Sequence, residues 1–453
     1  MEYIKRSARV LAIFCMVNFS LLFGQLFELP GWTFPVALLG LLIYYIYFHI
    51  RPRAIKKGTH RLRTLLGGYE ILLDCFLVIL ASTILYVIVY FSGALVDPTG
   101  SIPVWVPLLL NFIFAVILIG ALLINGFFRV LITCNRLRVV WRILLLLCWW
   151  VPIFNIYLFY RVLKAARSEY YFACARGDME TVHAENQDCK THYPLVLVHG
   201  VFFRDWQLVN YWGRIPQALC RCGATIYYGH QQSAAPVARS AEELTHVIRD
   251  IVEKCGCEKV NLIAHSKGGL DSRYAISRLG LAPYVASLTT VNTPHRGCIF
   301  AKDLLATLPK RVLGQMESKY NAIFHKLGDA HPDFLGGVKD LASDSAEQFN
   351  AETPDMDGIL YQSVTSTMKN GHSAAFPLNL TWKLVKKHDQ EENDGLVARS
   401  SAKWGDFLGE LTVPGRRGIS HGDVIDLMRE DIPGFDVREF YINLVRDLKK
   451  KRL

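Results

Sequence analysis

The chemistry legible in this sequence concentrates at Ala264-His265-Ser266-Lys267-Gly268-Gly269. The apolar run Val260 to Ala264 before it reads as a strand, and Lys267 to Leu279 after it reads as a helix. A serine on a sharp strand-to-helix turn projects its hydroxyl above the sheet, close to the positive end of the helix. Ala264 and Gly268, two positions either side of Ser266, are small enough for the turn to close. Alanine stands where Gly-x-Ser-x-Gly usually has its first glycine. Upstream, His199-Gly200-Val201 ends another apolar run, Leu195 to Val198. The Val201 and Lys267 N–H groups are the expected donors to the oxyanion of a tetrahedral intermediate. Those donors are main-chain groups, so the Lys267 side chain is not required for that role and reads as solvated or salt-bridged.

A serine nucleophile needs a base, and the base needs an acid to orient it, here in the chain order serine, acid, histidine. Asn393-Asp394-Gly395-Leu396-Val397 places an acid in a turn, and Ile419-Ser420-His421-Gly422-Asp423 places a histidine among small residues. In this constellation His421 takes the Ser266 proton, while Asp394 fixes the imidazole tautomer and stabilises the imidazolium. The reaction expected is acyl transfer to Ser266 followed by hydrolysis of the acyl-enzyme.

The elements that must hold these groups alternate. Leu195 to Val198, Ala224 to Tyr228, Val260 to Ala264 and Val285 to Val291 read as strands. Ala241 to Val252 carries apolar residues at three- and four-residue spacing and reads as an amphipathic helix. Strand alternating with helix predicts crossover units and a mostly parallel sheet, an α/β fold, over residues 191–453.

The first third of the chain has a different texture. The 453 residues carry 50 Lys+Arg against 40 Asp+Glu, with a mean hydropathy of +0.22 and a pI near 9.0. Residues 1–170 hold 16 bases and 6 acids, whereas the remainder is balanced at 34 of each. Basic surplus on an apolar segment argues against nucleic acid as the partner and for a membrane. A bilayer crossing needs about 20 apolar residues, and Val10 to Phe27, Trp32 to Ile50, Cys75 to Val96 and Ile102 to Phe128 are uncharged. Such recurrence does not fit a signal peptide. Bases cluster at Lys5 to Arg9, Arg51 to Arg63 and Arg129 to Arg142, while Val96 to Ser101 has only Asp97. The positive-inside rule then predicts four spans with those basic segments on the cytoplasmic side. A fifth apolar run, Ile143 to Tyr160, is interrupted by Pro152 and Asn155 and is either a span or a re-entrant hairpin; residues 171–190 are expected to be a linker. Seven of the eleven cysteines follow residue 170 without zinc or redox spacing, and unpaired thiols favour a reducing compartment. The expectation is a multi-pass protein, of a bacterial inner membrane, with its C-terminal domain cytosolic.

Tyr193-Pro-Leu-Val-Leu-Val-His-Gly200, Asn210-Tyr-Trp212, Gly223-Ala-Thr-Ile-Tyr227, Lys259 to Gly269, Thr293-Pro-His-Arg-Gly297, Val338-Lys-Asp-Leu341 and Asn393 to Val397 together resemble the Pseudomonas-type bacterial triacylglycerol lipases. The resemblance runs from about residue 192 to 430 and does not touch residues 1–170. It implies an α/β-hydrolase fold, Ser266, Asp394 and His421 as the triad, and Val201 and Lys267 as oxyanion donors. It also implies a calcium ion bracing the histidine loop, for which Asp423 matches one ligand. The stretch where the family places the other carboxylate reads Asn370-Gly371-His372-Ser373, without an acid, so Asp423 reads equally as a helix cap and no cofactor is required. Arg399-Ser400 stands where the family has a disulfide cysteine. Residues 301–341 read as a lid, with Leu304, Leu308, Val312, Met316 and Tyr320 at every fourth position and breaks at Pro309 and Gly314, or else as an ordinary packed helix. His295 and Arg296 read as structural braces. The function expected is a membrane-anchored carboxylester hydrolase acting on acylglycerols or other lipid esters, with lipids as the partners. A lipid acyltransferase using the same triad, or a membrane transport or binding protein with an inactive hydrolase domain, are the alternatives.

Overall fold

The computed structural model describes residues 2–26, 31–55, 57–92, 103, 105–137, 139–201, 211–298, 301, 309–326, 329, 331–374, 378–388 and 391–453. These form two compact units, Met1–Met179 and Glu180–Leu453.

The first unit is helical. Thr33–Ile50, His60–Ser92 and Trp105–Thr133 are long and apolar enough to cross a membrane by length and composition. Among the described residues these three helices meet that criterion. The run from Val10 is broken because helix Glu2–Val17 stops at Asn18. The Asn18 amide turns inward, donating to the Phe14 carbonyl (3.0 Å) and Ser82 Oγ (2.8 Å) and accepting from Asn111 Nδ2 (3.1 Å). A buried asparagine that satisfies itself on neighbouring helices disrupts the helix it starts from. The next residues form a short helical piece, Phe19–Leu21, and a π-turn, Leu22–Leu26. The Val96 to Ser101 loop lies outside the described residues.

The run from Ile143 to Tyr160 is split at Pro152 and Ile153, the latter at φ 67°. The run is thus divided between helix Val139–Cys148, of ten residues and a rise of about 15 Å, and the helix that begins at Phe154. The expected linker at 171–190 is instead mostly helix, since Phe154–Glu185 is continuous. It persists because Leu158, Val162, Ala166, Tyr170, Ala173 and Cys174 recur at three- and four-residue spacing and bury in the unit's core.

The second unit is built on a six-stranded parallel sheet in the order β2-β1-β3-β4-β5-β6. The strands are β1 Leu195–Val198, β2 Ile226–Tyr228, β3 Val260–His265, β4 Val285–Val291, β5 Leu360–Ser366 and β6 Asp406–Leu411. Alternation along β1 sends Val196 and Val198 into a core with helix Val237–Cys255, and Leu195 and Leu197 into one with helix Val437–Lys450. Both faces of β1 are therefore covered, as its unbroken apolar run requires. The chain leaves β1 in one direction to form β2 and returns on its other side as β3. The order thus reverses at β1 and β3, and the crevice beyond their carboxyl ends is where open α/β sheets place their sites.

Of the segment read as a lid, Leu304 and Leu308 lie outside the described residues. Helix Lys310–Lys326 runs through Gly314 without the expected break. Its Tyr320 stacks on Phe334 with ring centroids 4.6 Å apart, and Phe324 is buried with Ala234, Cys298 and Val338, so this stretch packs on the unit, while Val312 and Ile323 stay exposed.

Candidate active site

Ser266 sits between β3 and helix Lys267–Arg278 at φ 55°, ψ −129°. That backbone costs a non-glycine residue about 1–3 kcal/mol and persists only where its surroundings over-determine it. Here they do. Ser266 N–H donates to the Val291 carbonyl (3.0 Å), its own carbonyl accepts from Gly269 N–H (3.1 Å) and Thr293 Oγ1 (2.8 Å). A Cβ on Gly268 would stand 2.4 Å from the His199 carbonyl oxygen, and one on Gly200 would stand 2.8 Å from Ser266 Cβ. Only glycine allows the turn and the end of β1 to approach this closely. Gly200-Val201 is thereby held against the serine, which is half-buried. The Ser266 hydroxyl makes no hydrogen bond among the described residues.

Asp394 lies between β5 and β6, and His421 follows β6. The Asp394 carboxylate is fully buried. Its Oδ1 accepts from the Leu396 N–H (2.9 Å) and the Val397 N–H (2.8 Å), and its Oδ2 lies 2.6 Å from His421 Nδ1. His421 N–H also donates to the Asp394 carbonyl (2.8 Å), so the histidine loop is tied to the acid twice. The His421 ring stands 4.5 Å, centroid to centroid, from the ring of His265, the residue immediately before the serine. The structure thus pairs the predicted acid and histidine and brings that pair beside the strand end that carries Ser266.

Sequence reasoning assigned no role to Tyr211 or His265. The Tyr211 hydroxyl accepts from Gly200 N–H (3.0 Å) and lies 2.7 Å from His265 Nδ1. With its oxygen already accepting, the hydroxyl donates to Nδ1. Burial, and secondarily His421, hold His265 well below the usual imidazole value. It stays neutral and adds no charge opposing a proton on His421. Nothing in the sequence periodicity marks this pair, although both belong to motifs quoted for the family resemblance.

The Lys267 side chain is salt-bridged, as read, but buried rather than solvated: Nζ donates to Asp271 Oδ1 (2.7 Å) and Ser240 Oγ (2.8 Å). Burial pushes the Asp271 carboxyl from 3.8 up to about 7 against the pull of Lys267, with Asp340 adding to the rise. A raised folded value means stability that is full below the ordinary carboxyl range and is lost as pH rises through about 7. Lys267→Met leaves the carboxyl unpaired and should cost about 3–5 kcal/mol where it is charged. Thermal unfolding should show a deficit that grows from the acid to the alkaline side of that window. Turnover should stay within about tenfold, because the main-chain N–H is retained. Loss of turnover with unchanged stability would contradict this placement.

Asp423 does not fit a calcium ligand. Both its oxygens take hydrogen bonds from Arg417 (3.0 and 3.2 Å), and Oδ2 also accepts the Ser420 N–H (2.8 Å). Among the described residues no group of three or more His, Cys, Asp or Glu side chains could hold a metal ion. The eleven cysteines are free thiols. His295 is buried between Arg273 (3.3 Å), Thr290 Oγ1 (3.0 Å) and the face of Trp404, and Arg296 Nη1 donates to the Ser400 and Lys403 carbonyls.

A six-stranded parallel sheet carrying a serine elbow at the carboxyl end of an inner strand defines an α/β-hydrolase. Residues 195–324 match the serine esterase family DUF676. The chain is 34% identical over 178 residues to a triacylglycerol lipase of Pseudarthrobacter phenanthrenivorans, covering 36% of this chain and 54% of that one. It is 30% identical over 255 residues to a triacylglycerol lipase of Vibrio cholerae, covering 50% of this chain and 80% of that one. The chain thus belongs to the lipase-like family of carboxylic ester hydrolases that includes these bacterial enzymes, although it spans only about half the length of the first relative. Among solved structures, a Bacillus licheniformis lipase, BlEst2, in its mature form aligns at TM-score 0.42 and 19% identity over 57% of this chain and 92% of that one.

Proposed function

We propose that the protein is a membrane-anchored serine carboxylester hydrolase that cleaves acylglycerols or other lipid esters. Ser266 attacks the ester carbonyl, and His421 Nε2 takes its proton while Asp394 holds Nδ1–H and stabilises the imidazolium. The oxyanion is received by the N–H groups of Val201 and Lys267. The Lys267 N–H heads a helix and lacks an intrahelical acceptor. His421 then gives its proton to the departing alkoxide, and a water repeats the sequence on the acyl-enzyme. The reading is carried by one observation: a strained serine elbow beside an Asp394–His421 pair whose carboxylate is fully committed. Such strain is retained where function needs it.

Membrane anchoring is supported by the three long apolar helices. Their outward faces carry Leu39, Ile43, Ile84, Ile88, Ile117 and Phe128 in exposed positions, which suits acyl chains rather than water. The basic segments at 51–63 and 129–142 favour the cytoplasmic side for those ends. In this reading the membrane is a bacterial inner membrane and the hydrolase unit is cytosolic.

The test is a series of glycerol and simple alcohol esters of graded acyl length, with products resolved by mass spectrometry. Free fatty acid in stoichiometry with released alcohol is expected. A new ester with no free acid would make the protein an acyltransferase instead.

Tyr211→Phe probes the scaffold. It leaves the buried Gly200 N–H and His265 Nδ1 without this partner, a loss of about 1–3 kcal/mol. The loop presenting Val201 loosens, and kcat should fall about tenfold to a hundredfold with KM little changed. A KM effect alone would assign Tyr211 to substrate binding.

A further inference from the structure

A cavity of about 640 Å3 opens in the first unit between helix Glu2–Val17, helix Thr33–Ile50 and the turn that follows it. Lys5, Arg9, Arg51, Arg53, Tyr44 and Tyr47 line it, and none of its described lining residues is acidic. Two of these cations are fixed. Arg9 donates to Glu70 (2.7 Å) and Asp74 (3.0 Å), and Arg53 donates to Glu70 (2.7 Å). Arg6 adds a third guanidinium on Glu70 at 2.5 Å. Both acids are buried on helix His60–Ser92. Lys5 and Arg51 have no ion pair, and the Tyr44 and Tyr47 hydroxyls no hydrogen bond, among the described residues. Four cations therefore line the cavity, and of these only Arg9 and Arg53 are offset by the two acids behind them.

That imbalance calls for an anion. The unpaired Lys5 and Arg51 are exposed and so are open to an incoming ligand, and guanidinium forks match the geometry of phosphate oxygens. The arginines clamped by Glu70 and Asp74 are already oriented, so little ordering is lost when a ligand arrives. Tyr44, Tyr47 and Lys5 supply additional donors. The volume lies within the roughly 300–1,000 Å3 range of small-molecule sites. Arg51 directly follows Ile50, the last residue of an apolar helix with Leu39, Ile43 and Ile46 exposed along it. A headgroup in the cavity would leave its acyl chains along that face. Basic pockets between apolar helices at their base-rich end suit acidic lipid headgroups.

We propose that this cavity binds a phosphate-bearing anion, the headgroup of an acidic phospholipid. Free phosphate shares the chemistry, and the lipid source rests on the membrane reading above, so the test separates the two. The full chain, purified in detergent and stripped of lipid, is titrated with short-chain phosphatidylglycerol, short-chain phosphatidylcholine and inorganic phosphate, with bound ligand counted by native mass spectrometry. One phosphatidylglycerol should bind per chain, phosphatidylcholine should bind far more weakly, and equimolar inorganic phosphate should not displace the lipid. The double variant Lys5→Gln/Arg51→Gln breaks no ion pair among the described residues and should weaken phosphatidylglycerol roughly thirtyfold. Tyr47→Phe, at an exposed ring, should weaken it about tenfold at most. Cleavage of a short soluble ester should be unchanged in both, which separates this site from the catalytic one. Displacement by equimolar inorganic phosphate would overturn the lipid assignment. Equal lipid affinity in wild type and in both variants would overturn the site.

Discussion

Replacing Ser266 by alanine is expected to lower kcat for ester cleavage by about a million-fold, the size of loss seen when a serine nucleophile is removed from a triad that acts as a unit. The backbone bonds that hold the elbow run from Ser266 N–H to Val291 and from Thr293 and Gly269 to the Ser266 carbonyl, and alanine keeps all of them. The hydroxyl itself has no hydrogen bond among the described residues, so its loss orphans nothing. Alanine also bears the same positive φ at comparable cost. Thermal unfolding should therefore shift little while turnover disappears into the background left by the oxyanion donors. Purified Ser266→Ala protein that still cleaves esters at a tenth of the wild-type rate would remove Ser266 from the nucleophile's role.

Asp394→Asn should cost about ten-thousand-fold in kcat. The geometry fixes which way the new amide points. Oδ1 of Asp394 accepts two main-chain N–H groups, from Leu396 and Val397. An asparagine amide nitrogen there would face two donors, so its carbonyl oxygen must take that position. The NH2 then faces His421 Nδ1, which must become the acceptor. The imidazole proton moves to Nε2, the nitrogen that has to receive the Ser266 proton, and the base is blocked by its own tautomer. Carbonyl and amide fill the same space as the carboxylate, so the fold should survive. A loss of only a few-fold would mean that another acid orients His421.

Four of the six strands of the second unit were legible because parallel strands buried on both faces are mostly apolar, as Leu195–Val198 is throughout, whereas Leu360–Ser366 and Asp406–Leu411 carry too many polar residues to stand out. The elbow was legible because a serine turn tolerates few residue types on either side. Asp394 and His421 could be picked out through their order in the chain, and the structure pairs them. What local pattern could not carry was tertiary. The i,i+4 spacing of Lys267 and Asp271 is visible in the sequence, yet that the pair is buried beneath the elbow depends on Ser240 from another helix. The Tyr211 hydroxyl joins two loops that are distant in sequence. Asn18 ends its helix only because Ser82 and Asn111 meet it there. Asp423 matched a metal-ligand position by sequence, but Arg417, six residues earlier, occupies its oxygens.

The most direct measurement is a crystal structure of the protein after reaction with an alkyl fluorophosphonate. Phosphorus should be bonded to Ser266 Oγ, with the phosphoryl oxygen about 2.7–3.1 Å from the Val201 and Lys267 nitrogens and His421 Nε2 within hydrogen-bond reach of the adduct. Phosphorus on any other residue, or an imidazole at 421 turned away from the adduct, would contradict the assignment of this site.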